Sequence, residues 1–453
     1  MSTVAAISTP LAQGGIAVIR ISGENALTVA DKIFKSVSGK VATKMKGYTS
    51  AYGKIISDGE EIDDGVLSVF RAPKSYTGED VAEISCHGGV FVAKKVLSAA
   101  VSSGAELAEA GEFTKRAFLN GKLTLTEAES VIDIISASGE QARKAARSAK
   151  EGALYKKISG VTKRLVGILG ELAAWVDYPE EDIDALKPQA LSDTLSSIYD
   201  ELSALSKTYD SGRIIRNGAD TAIVGRANVG KSTLMNYLLG YERSIVTDIE
   251  GTTRDIVEET ALVGDTLLRL SDTAGIRQTD DVVESIGVER SIKKLDEADL
   301  ILAIFDSSEP LTDEDFSIIE KVSGKRVVAV INKSEKDRKI DIKAIENSLG
   351  EPVLISAKTG EGIKDLERRI SEVLSLTTLD LSAGLIANER QKRCIDKAVL
   401  SLNEALSALS IGETLDALTV ILDEALSALL ELSGEKVTDA VVDEVFSHFC
   451  VGK

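Results

Sequence analysis

The stretch "TAIVGRANVGKSTLMNYLLG", Thr221–Gly240, sets the reading of the chain. An apolar run suited to a buried strand leads into a loop with two glycines, and the loop runs into a helix-forming segment. "GRANVGKS", Gly225–Ser232, matches a phosphate-binding loop in the strand–loop–helix setting that this chemistry needs. Backbone N–H groups of the loop and the helix N-terminus cradle phosphates, Lys231 reaches the β and γ groups, and Ser232 holds Mg²⁺. Asn228, Val229, Gly230, Lys231, Ser232 and Thr233 are therefore candidate nucleotide-binding residues.

Further elements follow in the order of a GTP-hydrolysing domain. "TDIEGTTRD", Thr247–Asp255, supplies Thr247, Asp248, Ile249, Glu250, Gly251, Thr252 and Thr253, and the two last threonines are candidates for a second Mg²⁺ ligand in a loop that closes over the γ-phosphate. "DTAG" comprises Asp272, Thr273, Ala274 and Gly275; Asp272 ends a strand and can hold the metal through water, and the Gly275 amide can face the γ-phosphate. Asn332, Lys333 and Glu335 of "NKSE" and Ser356, Ala357 and Lys358 of "SAK" end two further strands and are candidates for base recognition. A carboxylate beside Asn-Lys accepts from N1 and N2 of guanine, a donor pair that adenine lacks, so GTP is expected over ATP. Aspartate is the usual acid there, and Glu335 adds one methylene.

Ile276 follows DTAG, where many such enzymes carry a glutamine that aims the attacking water. Isoleucine neither donates nor accepts a hydrogen bond. Asp280, Asp281, Glu284 and Glu289 are the nearby acids, and the residues themselves do not choose among them.

Outward from this core the chain reads as a multidomain α/β protein. Short apolar runs such as "GIAVIRIS" and "DVAEISC", broken by Gly and Pro, predict an N-terminal α+β domain over 1–119. Helical spacing predicts a helical part over 120–216, βα alternation predicts an inserted Ras-like P-loop GTPase domain over 217–376, and helices return over 377–453. Helices flanking the α/β unit on both sides suggest one discontinuous α-helical domain, with two separate ones as the alternative. Leu415, Leu418, Leu422, Ala425, Leu429 and Leu432 form an apolar seam that needs a partner.

A net charge of −19 excludes a protein that coats nucleic acid by bulk electrostatics, so RNA contact must be local or shared with a partner. Two basic stretches are available for it: Arg143, Lys144, Arg147, Lys150, Lys156 and Lys157, and later Arg390, Lys392 and Arg393. A solvated helix face is the alternative for each. Three scattered cysteines make neither a disulfide framework nor a zinc site. With no apolar run long enough to span a bilayer, a cytoplasmic protein without membrane association is expected.

With these elements assembled, the chain resembles the tRNA-modification GTPase MnmE (TrmE) family along its whole length. The resemblance is carried by "GRANVGKS", "TDIEGTTRD", "DTAGIR", "SYTGED", "HGG", "GEFTKRAFLNGKL" and the C-terminal "FCVGK". It implies a homodimer whose residues 1–119 bind tetrahydrofolate and dimerise, and whose G domains associate during hydrolysis. It implies a flavoprotein partner, MnmG (GidA), in a heterotetramer or larger complex. Together they would use 5-formyltetrahydrofolate or methylenetetrahydrofolate to install an aminomethyl or carboxymethylaminomethyl group at C5 of the wobble uridine of certain tRNAs.

The resemblance also implies K⁺ in place of an arginine finger, coordinated by Asn228, Thr247, Ile249 and Thr252, with Ser232 and Thr253 as the Mg²⁺ ligands and Glu284 as the group that fixes the water. Arg20, Glu83, Lys122 and Lys453 take the folate positions, and Cys450 takes that of a cysteine associated with modification. From the residues alone, a structural ion pair is an equal reading of Arg20 and Glu83, and a small buried residue is the default for Cys450. Cys86 and His87, adjacent on a strand, point to opposite faces and are expected to be structural. An RNA-binding or ribosome-assembly GTPase switch is the competing function, with a folate-dependent methyltransferase carrying a regulatory G domain as a third reading.

Overall fold

The computed structural model describes residues 1–177, 188–241, 259–272, 295–377 and 379–453. The chain divides into two compact units: Met1–Ile132 with Ile158–Arg164 and Leu426–Lys453, and Asp133–Lys157 with Leu165–Ala425.

In the first unit, β1 (Val4–Ile7), β2 (Ile16–Ser22), β3 (Phe34–Ser36), β4 (Thr49–Ser57), β5 (Glu60–Phe70), β6 (Val81–His87) and β7 (Glu106–Leu107) form a sheet of order β3-β4-β5-β6-β2-β1-β7. Period-two alternation decides its faces. Ala17, Ile19 and Ile21 of β2 join a buried core with Ala26, Leu27 and Ala30 of α1 (Ala26–Ile33) and Val96 and Ala100 of α2 (Val90–Ser102), while Val18 and Arg20 face the other way. The chain continues through α3 (Glu112–Leu119) and α4 (Leu125–Ser136).

The second unit contains α5 (Glu140–Lys150), most of α6 (Ala153–Asp177), α7 (Pro188–Ser206) and α8 (Tyr209–Asn217). There follow β8 (Ala219–Val224), α9 (Lys231–Tyr241), β9 (Glu259–Val263), β10 (Thr266–Asp272), β11 (Leu300–Asp306), α10 (Asp313–Val322), β12 (Val327–Asn332), α11 (Ile342–Leu349), β13 (Val353–Leu354) and α12 (Ile363–Val373). The sheet order is β13-β12-β11-β8-β10-β9, parallel except for the β9–β10 hairpin. Both faces are covered, which explains the unbroken apolar run of β11: Leu300, Leu302 and Ile304 pack on the side of Leu234, Leu366 and Ile370, and Ile301, Ala303 and Phe305 on the side of Ile319 and Ile345.

After this sheet come α13 (Glu389–Ile411), α14 (Leu415–Ser433) and α15 (Asp439–Ser447). α7 and α13, almost two hundred residues apart, pack together: Ser206 Oγ donates to Asp396 Oδ1 at 2.7 Å and accepts from Lys392 Nζ at 2.8 Å. The helices on either side of the α/β segment thus form one discontinuous helical domain, with the Ras-like P-loop domain inserted in it. Leu418, Leu422, Ala425, Leu429 and Leu432 of the apolar seam are buried, and Leu415 at its start is half-buried.

Candidate functional site

β8 delivers the chain to the phosphate loop at the carboxyl end of the parallel sheet, where this architecture places its ligands. Asn228 has φ +65° and Gly230 φ +99°. A Cβ on Gly230 would come within 2.2 Å of Asn332 Nδ2, so this position requires glycine. Lys231 Nζ donates to the carbonyl oxygens of Gly225 at 2.6 Å and Arg226 at 2.7 Å, folding its ammonium over the loop. Ser232 and Thr233 are exposed on the first turn of α9.

The candidate base-recognition segments are tied to this loop by hydrogen bonds. Asn332, 3% exposed, donates from Nδ2 to the Val229 carbonyl at 2.9 Å and accepts the Ala357 N–H on Oδ1 at 2.9 Å. Lys333, at φ +64°, donates to the Asn228 carbonyl at 2.7 Å and to Asp306 Oδ2 at 2.5 Å. Burial pushes the Asp306 carboxyl up, but the hydrogen bonds from Lys333 and Ser308 outweigh it and hold it below the usual range.

Glu335 is exposed, and its carboxyl is held low first by a hydrogen bond from the Ser356 hydroxyl and then by its own main-chain N–H, against a small opposing effect of burial. Lys358 is exposed beside the same loop. Arg226, on the far side of the phosphate loop, bonds Glu309 Oε2 at 2.5 Å and lies 3.3 Å from Asp315 Oδ2 in the capping box of α10.

The phosphate-loop and base-recognition candidates therefore come together. Asp272 ends β10 in register with Ile223 of β8, two residues before the loop begins. Thr247, Asp248, Ile249, Glu250, Gly251, Thr252, Thr253, Thr273, Ala274, Gly275 and Glu284 lie outside the described residues. Sequence reading passed over Asp306 and Arg226. Asp306 had a signal, since a carboxylate closes the otherwise apolar run of β11; Arg226 had none, because its acids lie in a separate segment.

The N-terminal candidates gather around the chain's last residues. Arg20 and Glu83 are register partners on β2 and β6, and Arg20 Nε donates to Glu83 Oε1 at 2.8 Å. The pair forms, but its heads stay 17% and 25% exposed. The Arg20 guanidinium lies 5.4 Å from the ring centre of Phe113 and 5.7 Å from that of Tyr76.

The "FCVGK" segment docks on the same residues. Val451 bridges Ala110, the Phe113 N–H donates to the Lys453 carbonyl at 3.1 Å, and Ser8 Oγ donates to the Gly452 carbonyl at 2.9 Å. Lys122 Nζ donates to the Pro73 carbonyl at 3.1 Å, at the start of the loop that carries Tyr76. Cys450 is exposed.

Cys86 and His87 point to opposite faces as expected. Cys86 is 3% exposed and burial pushes its thiol up to about 11, away from reactivity. The exposed His87 donates from Nδ1 to Asp63 Oδ1 at 2.7 Å.

Among the described residues, no helix is long and apolar enough to cross a membrane. The chain matches the family model of the MnmE helical domain over residues 125–450 and that of the GTP-binding protein TrmE N-terminus over residues 3–122. It is 42% identical over 456 residues to the tRNA modification GTPase MnmE of Clostridioides difficile (strain 630), covering 100% of this chain and 99% of that one. The protein of the same name from Thermoanaerobacter pseudethanolicus (strain ATCC 33223 / 39E) is also 42% identical, with the same coverage. The one from Lactobacillus helveticus (strain DPC 4571) is 41% identical over 455 residues, covering 100% of this chain and 98% of the other. Identity of this extent over the whole chain, together with the two family models, shows that the chain belongs to the tRNA modification GTPase MnmE family.

Proposed function

We propose that this GTPase of tRNA modification works with a flavoprotein of the MnmG (GidA) kind to add an aminomethyl or carboxymethylaminomethyl group to C5 of the wobble uridine of certain tRNAs. The carbon would come from 5-formyltetrahydrofolate or methylenetetrahydrofolate. The observation that carries this reading is the C-terminal segment, whose Cys450 carbonyl accepts from the Gly111 N–H and whose Lys453 carbonyl accepts from the N–H of Phe113, the residue with its ring beside the Arg20 guanidinium. An arginine head beside the rings of Tyr76 and Phe113 suits a ligand with a flat heteroaromatic ring and carboxylates, which is the chemistry of a folate. Bound there, a folate supplies the one-carbon unit. Arg20, Glu83, Lys122 and Lys453 would hold it, and Cys450 is the candidate catalytic thiol.

In the nucleotide site, Lys231 and the loop amides would bind the phosphates, and Glu335 and Asn332 the guanine. Ser232 and Thr253 offer hydroxyl oxygens of the kind Mg²⁺ takes, and the exposed Asn228 at its left-handed φ offers an amide oxygen suited to K⁺. Mg²⁺ and K⁺ supply positive charge around the transferring phosphate. Thr247, Ile249 and Thr252 would complete the K⁺ ligands, and Glu284 would orient water in place of the glutamine replaced by Ile276. We place the active form as a homodimer in a heterotetramer or larger complex with the flavoprotein.

Nucleoside analysis of tRNA from cells lacking the protein tests the reading: the C5-modified wobble uridine should disappear and return with the intact gene. An unchanged nucleoside profile would favour an RNA-binding or ribosome-assembly switch. Saturable binding of 5-formyltetrahydrofolate separates the two further, since a switch has no use for it.

A further inference from the structure

The second unit carries a groove of about 560 Å³ between the α5–α6 corner and the segment 381–383, lined by Arg143, Lys144, Arg147 and Lys156 on one side and Leu381 and Ser382 on the other. It lies on neither the nucleotide site nor the folate candidates. We propose that it binds the sugar–phosphate backbone of RNA, which, on the reading above, is the tRNA substrate.

Charge is the first argument. Residues 140–157 hold six Lys/Arg and two Glu, a local excess of four positive charges in a chain whose net charge is −19. The excess is arranged in a line. α5 buries Ala142 and Ala146 and turns Arg143, Arg147 and Lys150 outward at steps of four and three, one cation per turn of about 5.4 Å. A row of cations along a helix matches a polyanion with regularly spaced charges better than it matches a single small anion.

Availability is the second. Arg143 and Lys144 contact Glu140, at 2.7 and 3.7 Å, and Arg147 contacts Glu151 at 2.8 Å, with the side chains between 45% and 68% exposed. Exposed pairs of this kind contribute little to stability, so a phosphate displaces the carboxylates at little cost. Glu140, its carboxyl held down to about 2 first by the Arg143 hydrogen bond, stays ionised at neutral pH. Asp380, beside the far wall, is engaged by the Ser382 N–H and hydroxyl.

The far wall is fixed. Ser148 Oγ donates to the Ser382 carbonyl at 3.2 Å, and Gly384, at φ +77°, packs so closely that a Cβ there would lie 2.8 Å from Leu154 N. The groove is therefore a formed channel with a cationic wall. Its lining carries Arg143, Lys144, Arg147 and Lys156 against one acid, Glu151, and arginines able to take phosphate bidentately favour nucleic acid over an acidic polypeptide.

The test uses the full-length protein and unmodified tRNA in filter-binding titrations at several KCl concentrations. One variant carries Lys144→Glu, Arg147→Glu and Lys156→Glu. A control with the same charge change carries Lys321→Glu, Lys343→Glu and Lys364→Glu, exposed positions outside the groove. The groove variant should bind at least tenfold more weakly than the control and lose ~0.7–0.9 in the slope of log affinity against log salt for each phosphate contact removed. GTP hydrolysis without tRNA should match the parent in both. Equal affinity and slope in the two variants would overturn the groove assignment and leave an acidic polypeptide as its occupant. No saturable tRNA binding by the parent protein would overturn both this assignment and the reading it rests on.

Discussion

The side chain of Asn332 donates to the carbonyl oxygen of Val229 at 2.9 Å, joining residues 103 apart in sequence. Its other end accepts from Ala357, so one buried amide aligns the phosphate loop with both base-recognition segments. On the reading proposed above, nucleotide binding and the stability of the carboxyl edge of the sheet should be coupled through this residue.

Asn332→Ala is expected to destabilise the protein by ~1–3 kcal/mol, since it leaves the Val229 carbonyl and Ala357 N–H without partners. GTP affinity should fall at least tenfold. Thermal unfolding and titration with a fluorescent guanine nucleotide check both, and a normal melting temperature with normal affinity would refute the coupling.

Glu335→Ala should erode the preference for GTP over ATP by up to ~10⁴, the scale on which a site built to hydrogen-bond a group rejects an analogue without it. Ser356→Ala should give a smaller loss, because the carboxylate remains but its tether is gone. Competition binding with GTP and ATP measures this. A preference indifferent to Glu335 would place guanine recognition elsewhere.

Hydrolysis should be far faster in KCl than in NaCl at equal ionic strength, on the scale of the ~10³–10⁵ that an arginine finger contributes. Asn228→Ala should abolish most of that difference and still bind GTP through Lys231 and the loop amides. Glu284→Ala should lower kcat with little change in nucleotide affinity, as befits a group that acts in the transition state. Equal rates in the two salts would point to Arg254 or Arg277 as the missing charge.

Cys450→Ser should leave GTP hydrolysis near normal and abolish tRNA modification. Gly452→Ala should give the same phenotype by another route: at φ +97° its Cβ would lie 2.3 Å from the Ile7 carbonyl, displacing the C-terminal segment. Full modification by the serine variant would exclude a catalytic thiol.

His87 and Asp63 make a pH-dependent contact. The Asp63 hydrogen bond and charge raise the His87 pKa above its ordinary 6.5, so this contribution to stability is complete below that value and is lost as pH rises through the raised pKa. Burial pushes Asp63 up, but the hydrogen bonds from His87 outweigh it and leave it below its ordinary 3.8. The Asp63 contribution is therefore present above 3.8 and lost as pH falls through the lowered value. The chain has only two histidines, so NMR titration resolves this one, and Asp63→Asn should return it to the ordinary range.

Much of the architecture was legible in the sequence because it rests on local chemistry. Strand–loop–helix order around "GRANVGKS" follows from apolar runs and glycine placement, and the double-sided burial of β11 follows from an apolar run without alternation. Cys86 and His87 had to diverge because successive strand residues do. What sequence periodicity could not supply was any relationship between distant segments. That Asn332 reaches Val229, that Arg226 meets Glu309 and Asp315, and that α7 packs on α13 depend on which strands lie side by side.

The same holds for the C-terminus. "FCVGK" has no periodicity and no apolar face of its own, and its backbone groups find their partners on Ser8, Ala110 and Phe113, residues far away in sequence. The sequence determined which residues could do chemistry, since side-chain type and local spacing are properties of the chain. Tertiary structure alone decided that Lys453 would meet Phe113 beneath Arg20, because hydrogen bonds and ring contacts act over a few ångströms and only folding brings those residues that close.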